Sequence, residues 1–376
     1  MIKVLHVLPN YFPRLGGIET LMSQYFKMQT DDSQFEHSIL TLKLQNQSSV
    51  KRTRGVTQID EINIPDLQNS HDILQPTLRI ISQLRRVIIE RQPSVIHLHA
   101  IHELSLFTVK IARELDIPLI YHFHGTVTNE DMKVLKPVLP FLQNILVVSQ
   151  ATLLSLLPYV SGNSQIQVIV NGVEDTGGIL NTKAQNIEPK LLIAGRIERE
   201  KGFDVAVVAL GLIVKEMPSV RLVVIGSGSQ KEHLQALAAE LGILKSVDFL
   251  GALENEDVIR EIDQSSIVLV PSRGIEGFGI VAVEAALREV AVIASDIGGL
   301  SHTVEHGKSG FLVPAEDPTA IAERVKELLN DPDYLVIIGK YSRVRALDLF
   351  GCERFKTELE DYYFNIKAGK EFDDYT

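Results

Sequence analysis

Glu276 and Glu284 stand eight residues apart in PSRGIEGFGIVAVEAA, Pro271 to Ala286, the first beside a glycine and the second inside an apolar run. An unpaired carboxylate among Phe278, Ile280, Val281 and Val283 is costly to bury, so both acids need partners, and a ligand is one candidate. A carboxylate accepts two hydrogen bonds, which suits the vicinal diol of a ribose or a hexose. With a helix starting near Phe278, Glu284 falls in its second turn and Glu276 in the loop just before it, where free amides and the helix dipole favour anions or polar oxygens. The plainer reading of the spacing is a helix cap plus one surface glutamate.

Two cations, Arg196 and Lys201 in AGRIEREKG, lie on a strand-to-helix turn where Gly202 permits a close backbone approach, and such a pair can hold a diphosphate. The alternating charges of Glu198, Arg199 and Glu200 in the same turn also fit an ordinary surface loop. Gly16-Gly17 follows the first apolar strand and precedes a helix, so its amides could approach a phosphate. Gly226-Ser227-Gly228 lacks the third glycine of a dinucleotide fingerprint, since Lys231 stands there, and reads as a tight turn. Histidines gather at two strand ends, His97, His99 and His102 in HLHAIH and His122 and His124 in YHFHG. Residues i and i+2 share a strand face, so a metal held by His99, His122 and His124 is a rival reading, although no carboxylate with ligand spacing accompanies them. His124, next to Gly125, fits a cleft residue, and His97 and His122 fit hydrogen-bonded core positions. Asp331-Pro332-Asp333 has the form of a metal-binding Asp-x-Asp but follows TAIAERVKELLN, where proline stops a helix.

These residues must be positioned by an α/β framework. Apolar strands alternate with helices from IKVLHVLP through GIETLMSQYFKMQ, HSILTLK, TLRIISQLRRVIIERQ, SVIHLHA, SLFTVKIARELD and PLIYHFHG to NILVVS and IQVIVNG, the signature of a parallel sheet covered on both faces. Glu174 to Pro189 is rich in Gly, Asn, Thr and Asp and reads as an interdomain linker. A second series runs from KLLIAGR to TAIAERVKELLN. The expected architecture is two facing Rossmann-like domains, residues 1–173 and 190–352, with a ligand cleft at the C-terminal strand ends, and a final helix about 353–376 packing back on the first domain.

A chain of 376 residues, 45% hydrophobic and 23% charged, suits two globular domains. Cys352 is the only cysteine, which excludes an intrachain disulfide and a multi-thiolate zinc site. Up to Asp175 there are 15 Lys and Arg against 16 Asp and Glu, and 22 against 32 beyond it, so the second half is strongly acidic and nucleic acid is not an expected partner. The basic spots Lys51 to Arg54 and Arg85-Arg86 read as solvated surface. Without a signal-like start or an apolar run of about 18 residues, the expectation is a soluble, cytoplasmic protein. In DMKVLKPVLPFLQ, Met132, Leu135, Leu139 and Leu142 sketch an apolar face suited to peripheral contact at the inner surface of a membrane.

Taken in order, GGIE, HFHG, VIVNGV, GRIEREKG, the Glu276-x7-Glu284 element in its EGFG context and IGGLSHTVEHGKSGFLV resemble the family 4 retaining glycosyltransferases of GT-B fold over nearly the whole chain. The resemblance implies that Arg196 and Lys201 bind the donor diphosphate and Glu284 its ribose, with Gly279 of the same element also on the donor. It implies that Glu276 holds the transferred sugar, that the Gly16 and Gly17 amides help with the phosphates, and that His124 sits beside the reacting centre. The implied partners are a nucleotide sugar, UDP-linked by the breadth of the family, and a hydroxyl acceptor on a glycan, glycolipid or small metabolite, with no cofactor and no metal. An epimerase or phosphorylase of the same fold, and a nucleotide-sugar-binding regulator without turnover, are the competing implications. The sequence departs from the family pattern after Gly298-Gly299, where Ser301-His302 replaces an acidic residue.

Overall fold

The structure is a computed structural model that describes residues 1–8, 17–30, 33–44, 55–64, 74–99, 101–160, 162, 164–177, 188–274 and 276–369. The chain forms two compact units, 1–172 with 352–376, and 173–351. In the first, β1 (Ile2–Val7), α1 (Gly17–Lys27), β2 (Phe35–Leu44), β3 (Gln58–Ile64), α2 (Leu74–Arg91), β4 (Val95–Leu98), α3 (Glu103–Glu114), β5 (Leu119–Phe123), α4 (Asp131–Leu135), β6 (Asn144–Val147), α5 (Gln150–Leu156) and β7 (Gln165–Val168) build a seven-stranded parallel sheet of order β3-β2-β1-β4-β5-β6-β7. Alternation along the strands sorts side chains onto two faces. Leu5, Val7, Ile96, Leu98, Tyr121, Phe123, Ile145 and Val147 build one core, while Ile2, Val4, Ile39, Val95, Ile120 and Leu146 join Tyr25, Phe26, Phe355 and Tyr363 in the other.

The second unit contains β8 (Lys190–Ala194), α6 (Phe203–Ile213), β9 (Arg221–Ile225), α7 (Lys231–Glu240), β10 (Val247–Gly251), α8 (Asn255–Asp263), β11 (Ile267–Val270), α9 (Ile280–Leu287), β12 (Ala291–Ser295), α10 (Leu300–Thr303), β13 (Gly310–Val313), α11 (Pro318–Asn330) and α12 (Pro332–Phe350). Its six parallel strands run β10-β9-β8-β11-β12-β13. The last helix, α13 (Cys352–Ala368), belongs to the first unit, where Phe355, Leu359, Tyr362 and Tyr363 are buried.

Three elements differ from the sequence reading. Strand β3, QIDEINI, carries polar residues through an edge strand, with Asp60 held by Arg91 and Glu61 by Lys43, so no apolar run announces it. Helix α12 begins at Pro332: proline stops α11 but occupies the first turn of the next helix, and the Asp331 carboxylate accepts from the Tyr334 amide at 3.0 Å. Asp331-Pro332-Asp333 is therefore a helix junction. The expected linker 174–189 is not free at its start: Asp175 pairs with Arg343 at 2.7 Å, Arg288 bonds the Gly177 carbonyl, and residues 173–177 belong to the second unit. Residues 178–187 lie outside the described residues, as do Gly16 and the basic spot at Lys51 to Arg54.

Candidate active site

In an open parallel sheet, ligands collect outside the C-terminal strand ends where the strand order reverses. In the second unit that point lies between β8 and β11, which pair directly. The turn after β8 carries Arg196 and Lys201, and the loop after β11 carries Glu276. Backbone contacts lock the two segments together. The Glu200 carbonyl accepts from the amides of Arg273 (2.8 Å) and Gly274 (3.1 Å). Gly202 has φ +66° and lies so close to Pro271 that an added Cβ would stand 1.9 Å from its carbonyl oxygen. The result is an ion pair between Lys201 Nζ and Glu276 Oε2 at 2.7 Å, to which Ser272 Oγ adds a bond of 3.1 Å. Arg196, on the same turn, is 69% exposed, its guanidinium 3.2 Å from Glu200.

The loop at Gly298-Gly299 supports Glu276 from behind. The Gly299 amide donates to the Glu276 carbonyl at 2.7 Å, and a Cβ on Gly298 would fall 2.3 Å from that oxygen. The glycine pair thus serves the backbone that presents Glu276. Beyond it, Ser301 bonds Asp296 at 2.6 Å and the His302 ring meets Phe350 edge-on. Gly226 and Gly228 likewise pack on the backbone of Gly195 and Ile197, where a Cβ would come within 1.8 and 2.3 Å of the two carbonyl oxygens, so this GxG shapes the neighbouring Arg196 turn.

Helix α9 begins at Ile280 behind Gly279, whose φ of +85° turns the chain into it. Glu284 falls in its second turn and is 5% exposed. Burial pushes its carboxyl up to about 7, against a hydrogen bond with Asn255 at the start of α8. Asn255 escaped the sequence reading because it lies 29 residues before Glu284, and only the packing of α8 on α9 brings it near. Ser272 and Arg273 stand four and three residues before Glu276, but nothing local showed that the Ser272 hydroxyl turns back on Glu276 or that Arg273 reaches carboxylates distant in the chain. Arg273 bonds Asp204 at 2.6 Å and Glu316 at 2.6 Å, tying the Glu276 loop to α6.

In the first unit, six histidines share one sheet face. His6 is in register with His97 and His37 with Val4, while β4 leads through His97 to His99 and β5 through His122 to His124 at two-residue steps, which puts all six on that face. His37, His6, His99 and His124 form a linked row, with ring nitrogens 3.0, 3.0 and 3.2 Å apart. His97 joins Tyr363 (2.7 Å) to His122 (3.2 Å). Burial holds all six rings well below the usual histidine range, with neighbouring imidazoles adding to the effect on His6, His97, His99 and His122. His124 is half-buried, and among the described residues neither its Nδ1 nor the nearby Thr126 hydroxyl has a hydrogen-bond partner. Two trios, His6-His97-His99 and His99-His122-His124, keep one nitrogen of each ring within 4.8 Å of the others, a spacing a metal could use. The sequence reading did not place His6 or His37 in this cluster, because only the β2-β1-β4 pairing brings them there. His102 instead caps α3, accepting from the Leu104 amide at 3.1 Å. Gly17 opens α1 and is exposed.

The apolar face expected of DMKVLKPVLPFLQ is spent internally. Leu135, Leu139 and Leu142 are buried in the core of the first unit and Met132 packs against it, which corrects the basis for a membrane contact there. Among the described residues no helix is long and apolar enough to cross a membrane.

Comparison with known proteins agrees with this geometry. A family model described as Glycosyltransferase Family 4 matches residues 16–176, and one described as Glycosyl transferases group 1 matches 181–345. A glycogen synthase of Mycobacterium tuberculosis is 29% identical over 210 residues, 56% of this chain and 50% of that protein. A D-inositol 3-phosphate glycosyltransferase of Corynebacterium urealyticum is 37% identical over 179 residues, 46% of this chain and 42% of the relative. The chain thus aligns with about half the length of the curated relatives it matches. Among solved structures, sucrose-phosphate synthase from Thermosynechococcus elongatus superposes with a TM-score of 0.82 at 20% identity, over 98% of this chain and 100% of that one. Anabaena HepE in complex with UDP-glucose gives 0.81 at 18%, over 97% and 100%. With two parallel sheets, a cation–carboxylate pair at a strand-order reversal and two family models that together reach from residue 16 to residue 345, the chain belongs to the family 4 glycosyltransferases of GT-B fold.

Proposed function

We propose that this protein transfers a sugar from a nucleotide-diphosphate donor, a UDP-sugar, to a hydroxyl of a glycan, glycolipid or small-molecule acceptor, with retention at the anomeric carbon and without a metal. The observation that carries the reading is the Lys201–Glu276 pair at the β8/β11 reversal, which sets a cation for phosphate beside a carboxylate for sugar hydroxyls. As the anomeric carbon–oxygen bond breaks, negative charge grows on the leaving diphosphate, and Arg196 and Lys201 stabilise it. Glu276 orients the transferred sugar, and Glu284 accepts from the ribose. The acceptor hydroxyl attacks from the face the diphosphate leaves and gives its proton to the departing phosphate. His124 and the Gly17 amide are the first unit's contributions in this reading. A UDP donor is supported by the UDP-glucose complex of HepE, while a relative named as a GDP-mannose-dependent mannosyltransferase makes GDP-sugars the competing donor class.

The test is turnover with UDP-, GDP- and ADP-sugars, with and without acceptor, after exhaustive chelation. Activity should survive the chelator, and the Arg196→Ala, Lys201→Ala double variant should lose roughly 3 kcal/mol or more of transition-state stabilisation. One bound zinc per chain, with turnover abolished on its removal, would move the reaction to the histidine trios and sink the diphosphate mechanism. Release of an altered sugar nucleotide without acceptor would make the protein an epimerase.

A further inference from the structure

Four imidazoles from four adjacent strands, β2, β1, β4 and β5, stand in a continuous row that starts at the Tyr25 hydroxyl. The links are Tyr25 Oη to His37 Nε2 at 3.4 Å, His37 Nδ1 to His6 Nε2 at 3.0 Å, His6 Nδ1 to His99 Nε2 at 3.0 Å, and His99 Nδ1 to His124 Nε2 at 3.2 Å. One imidazole plus one hydrogen bond spans roughly 5 Å, close to the strand spacing of about 4.8 Å, so a sheet with one histidine per strand closes such a row. Successive ring centroids lie 5.1, 5.2 and 5.4 Å apart. Tyr25, His37, His6 and His99 are fully or almost fully buried.

A neutral imidazole carries one ring proton, and each link holds one. Only two arrangements satisfy all four links. In the first, Tyr25 donates to His37, every ring is protonated on Nδ1, and His124 ends the row with an Nδ1–H. In the second, every ring is protonated on Nε2, His37 donates to Tyr25, and His124 presents an Nδ1 lone pair. The Tyr25 end decides between them. Gln29 is engaged elsewhere: its carbonyl oxygen accepts from Ser33 at 3.0 Å and its amide donates to Glu360 at 3.1 Å, which leaves His37 Nε2 as the hydrogen-bond partner of the Tyr25 hydroxyl among the described residues. In the second arrangement the buried tyrosine hydrogen would have no acceptor among those residues, a loss the first avoids.

We propose that Tyr25, His37, His6 and His99 are positioning residues that hold His124 in its Nδ1–H tautomer, so that His124 offers the ligand a hydrogen-bond donor and not a base. This deepens the sugar-transfer reading, on which the placement of a ligand at His124 rests: His124 Nδ1 and the Thr126 hydroxyl have no hydrogen-bond partner among the described residues, and in that reading the Nδ1–H donates to an oxygen of the transferred sugar. Burial, which depresses the basicity of all four rings, keeps the row neutral. The second row, Tyr363-His97-His122, stops at His122 Nε2, which has no partner among the described residues, and does not reach His124 by a hydrogen bond.

The test is NMR of the full chain carrying isotope-labelled histidine, where the protonated and lone-pair nitrogens of each ring are distinguished by chemical shift. His124 should show a single Nδ1–H tautomer. Tyr25→Phe, four links away along the row, should convert it to a mixture, while Tyr363→Phe should leave it unchanged. His37→Leu cuts the row one ring further on and should give the same mixture, serving where Tyr25→Phe does not fold. A wild-type His124 protonated on Nε2, a tautomer indifferent to both cuts, or ring shifts dominated by one bound metal per chain would each overturn the proposal. The readout needs no donor or acceptor, so it stands apart from turnover: absence of sugar transfer with an Nδ1–H His124 would remove the sugar-transfer reading and leave the row intact.

Discussion

Glu284 is the residue whose environment and role pull hardest against each other. A carboxyl raised from its usual range to about 7 is protonated in the folded protein at pH values where the unfolded chain has already ionised it. The folded state then binds the extra proton, so this contribution is fully present below about pH 4.5 and is lost as pH rises through about 7, amounting to at most about 3 kcal/mol. Glu284→Gln should therefore raise the melting temperature more at pH 8 than at pH 5 while weakening nucleotide binding. If the ribose hydroxyls donate to the ionised carboxylate, nucleotide binding at pH 6.5 should release a proton, detectable by calorimetry in buffers of different ionisation enthalpy. Glu276 behaves differently, since Lys201 and Ser272 already compensate its charge. Glu276→Ala should lower turnover by an amount corresponding to about 1.5–3 kcal/mol and leave nucleotide affinity nearly unchanged, whereas Glu284→Ala should weaken that affinity. Equal affinity in wild type and Glu284→Ala would remove the ribose assignment.

At the scale of elements, the turn into α6 and the loop into α9 are one construction, held by glycines at points where a side chain would strike a backbone oxygen. Gly202→Ala combines a left-handed φ with a Cβ 1.9 Å from the Pro271 carbonyl, and should cost about 2 kcal/mol or more while displacing Glu276 from Lys201. Gly211 in the same helix is a contrast. Its added Cβ meets nothing nearer than Leu241 at 3.5 Å, so Gly211→Ala should be neutral or stabilise by up to about 1 kcal/mol. Urea midpoints of the two variants should move in opposite directions. The turn chemistry was legible in GRIEREKG and EGFG, but the seam between them was not: Glu200 receives the Arg273 and Gly274 amides because β8 and β11 are neighbours in the sheet, a pairing of residues 76 apart in the chain.

For the whole molecule, the two units answer pH with opposite signs. Six histidines held neutral in the first unit must charge when it unfolds in acid. Below an unfolded pKa of about 6.5 the unfolded state binds more protons, and each group costs stability by up to about 1.4 kcal/mol per pH unit. Six such groups together reach the order of a domain's net stability, roughly 5–15 kcal/mol, within one or two units. Calorimetry from pH 7.5 to 5 should show the melting of the first unit falling steeply while Glu284 favours the second over the same range. Retention of the pH 7.5 melting temperature by both units at pH 5 would mean that the histidines charge without unfolding. Ligand linkage provides a separate check: UDP at 100 times its dissociation constant should stabilise by about 2.7 kcal/mol, in wild type and His124→Ala alike but not in Glu284→Ala at the same concentration.

The alternation of apolar strands with helices, the parallel character of both sheets and the motifs proposed to bind a donor are written in local order along the chain, because strand–turn–helix units carry their own hydrophobic period and their own glycines. The paired cations of GRIEREKG and the two acids of the Glu276 element were visible for that reason. What required the tertiary structure was everything set by strand order. The sequence shows HLHAIH and YHFHG as two clusters of possible ligands; only the β2-β1-β4-β5 pairing adds His37 and His6, removes His102 to a helix cap and threads the rest into a row ending at His124. Likewise Asp331-Pro332-Asp333 and the leucines of DMKVLKPVLPFLQ present the right residue types for a metal or a membrane, and lose both uses to the helix junction and the core that claim them. Residue type limits what a side chain can do, and the partners that packing supplies decide which of those possibilities is left open to a ligand.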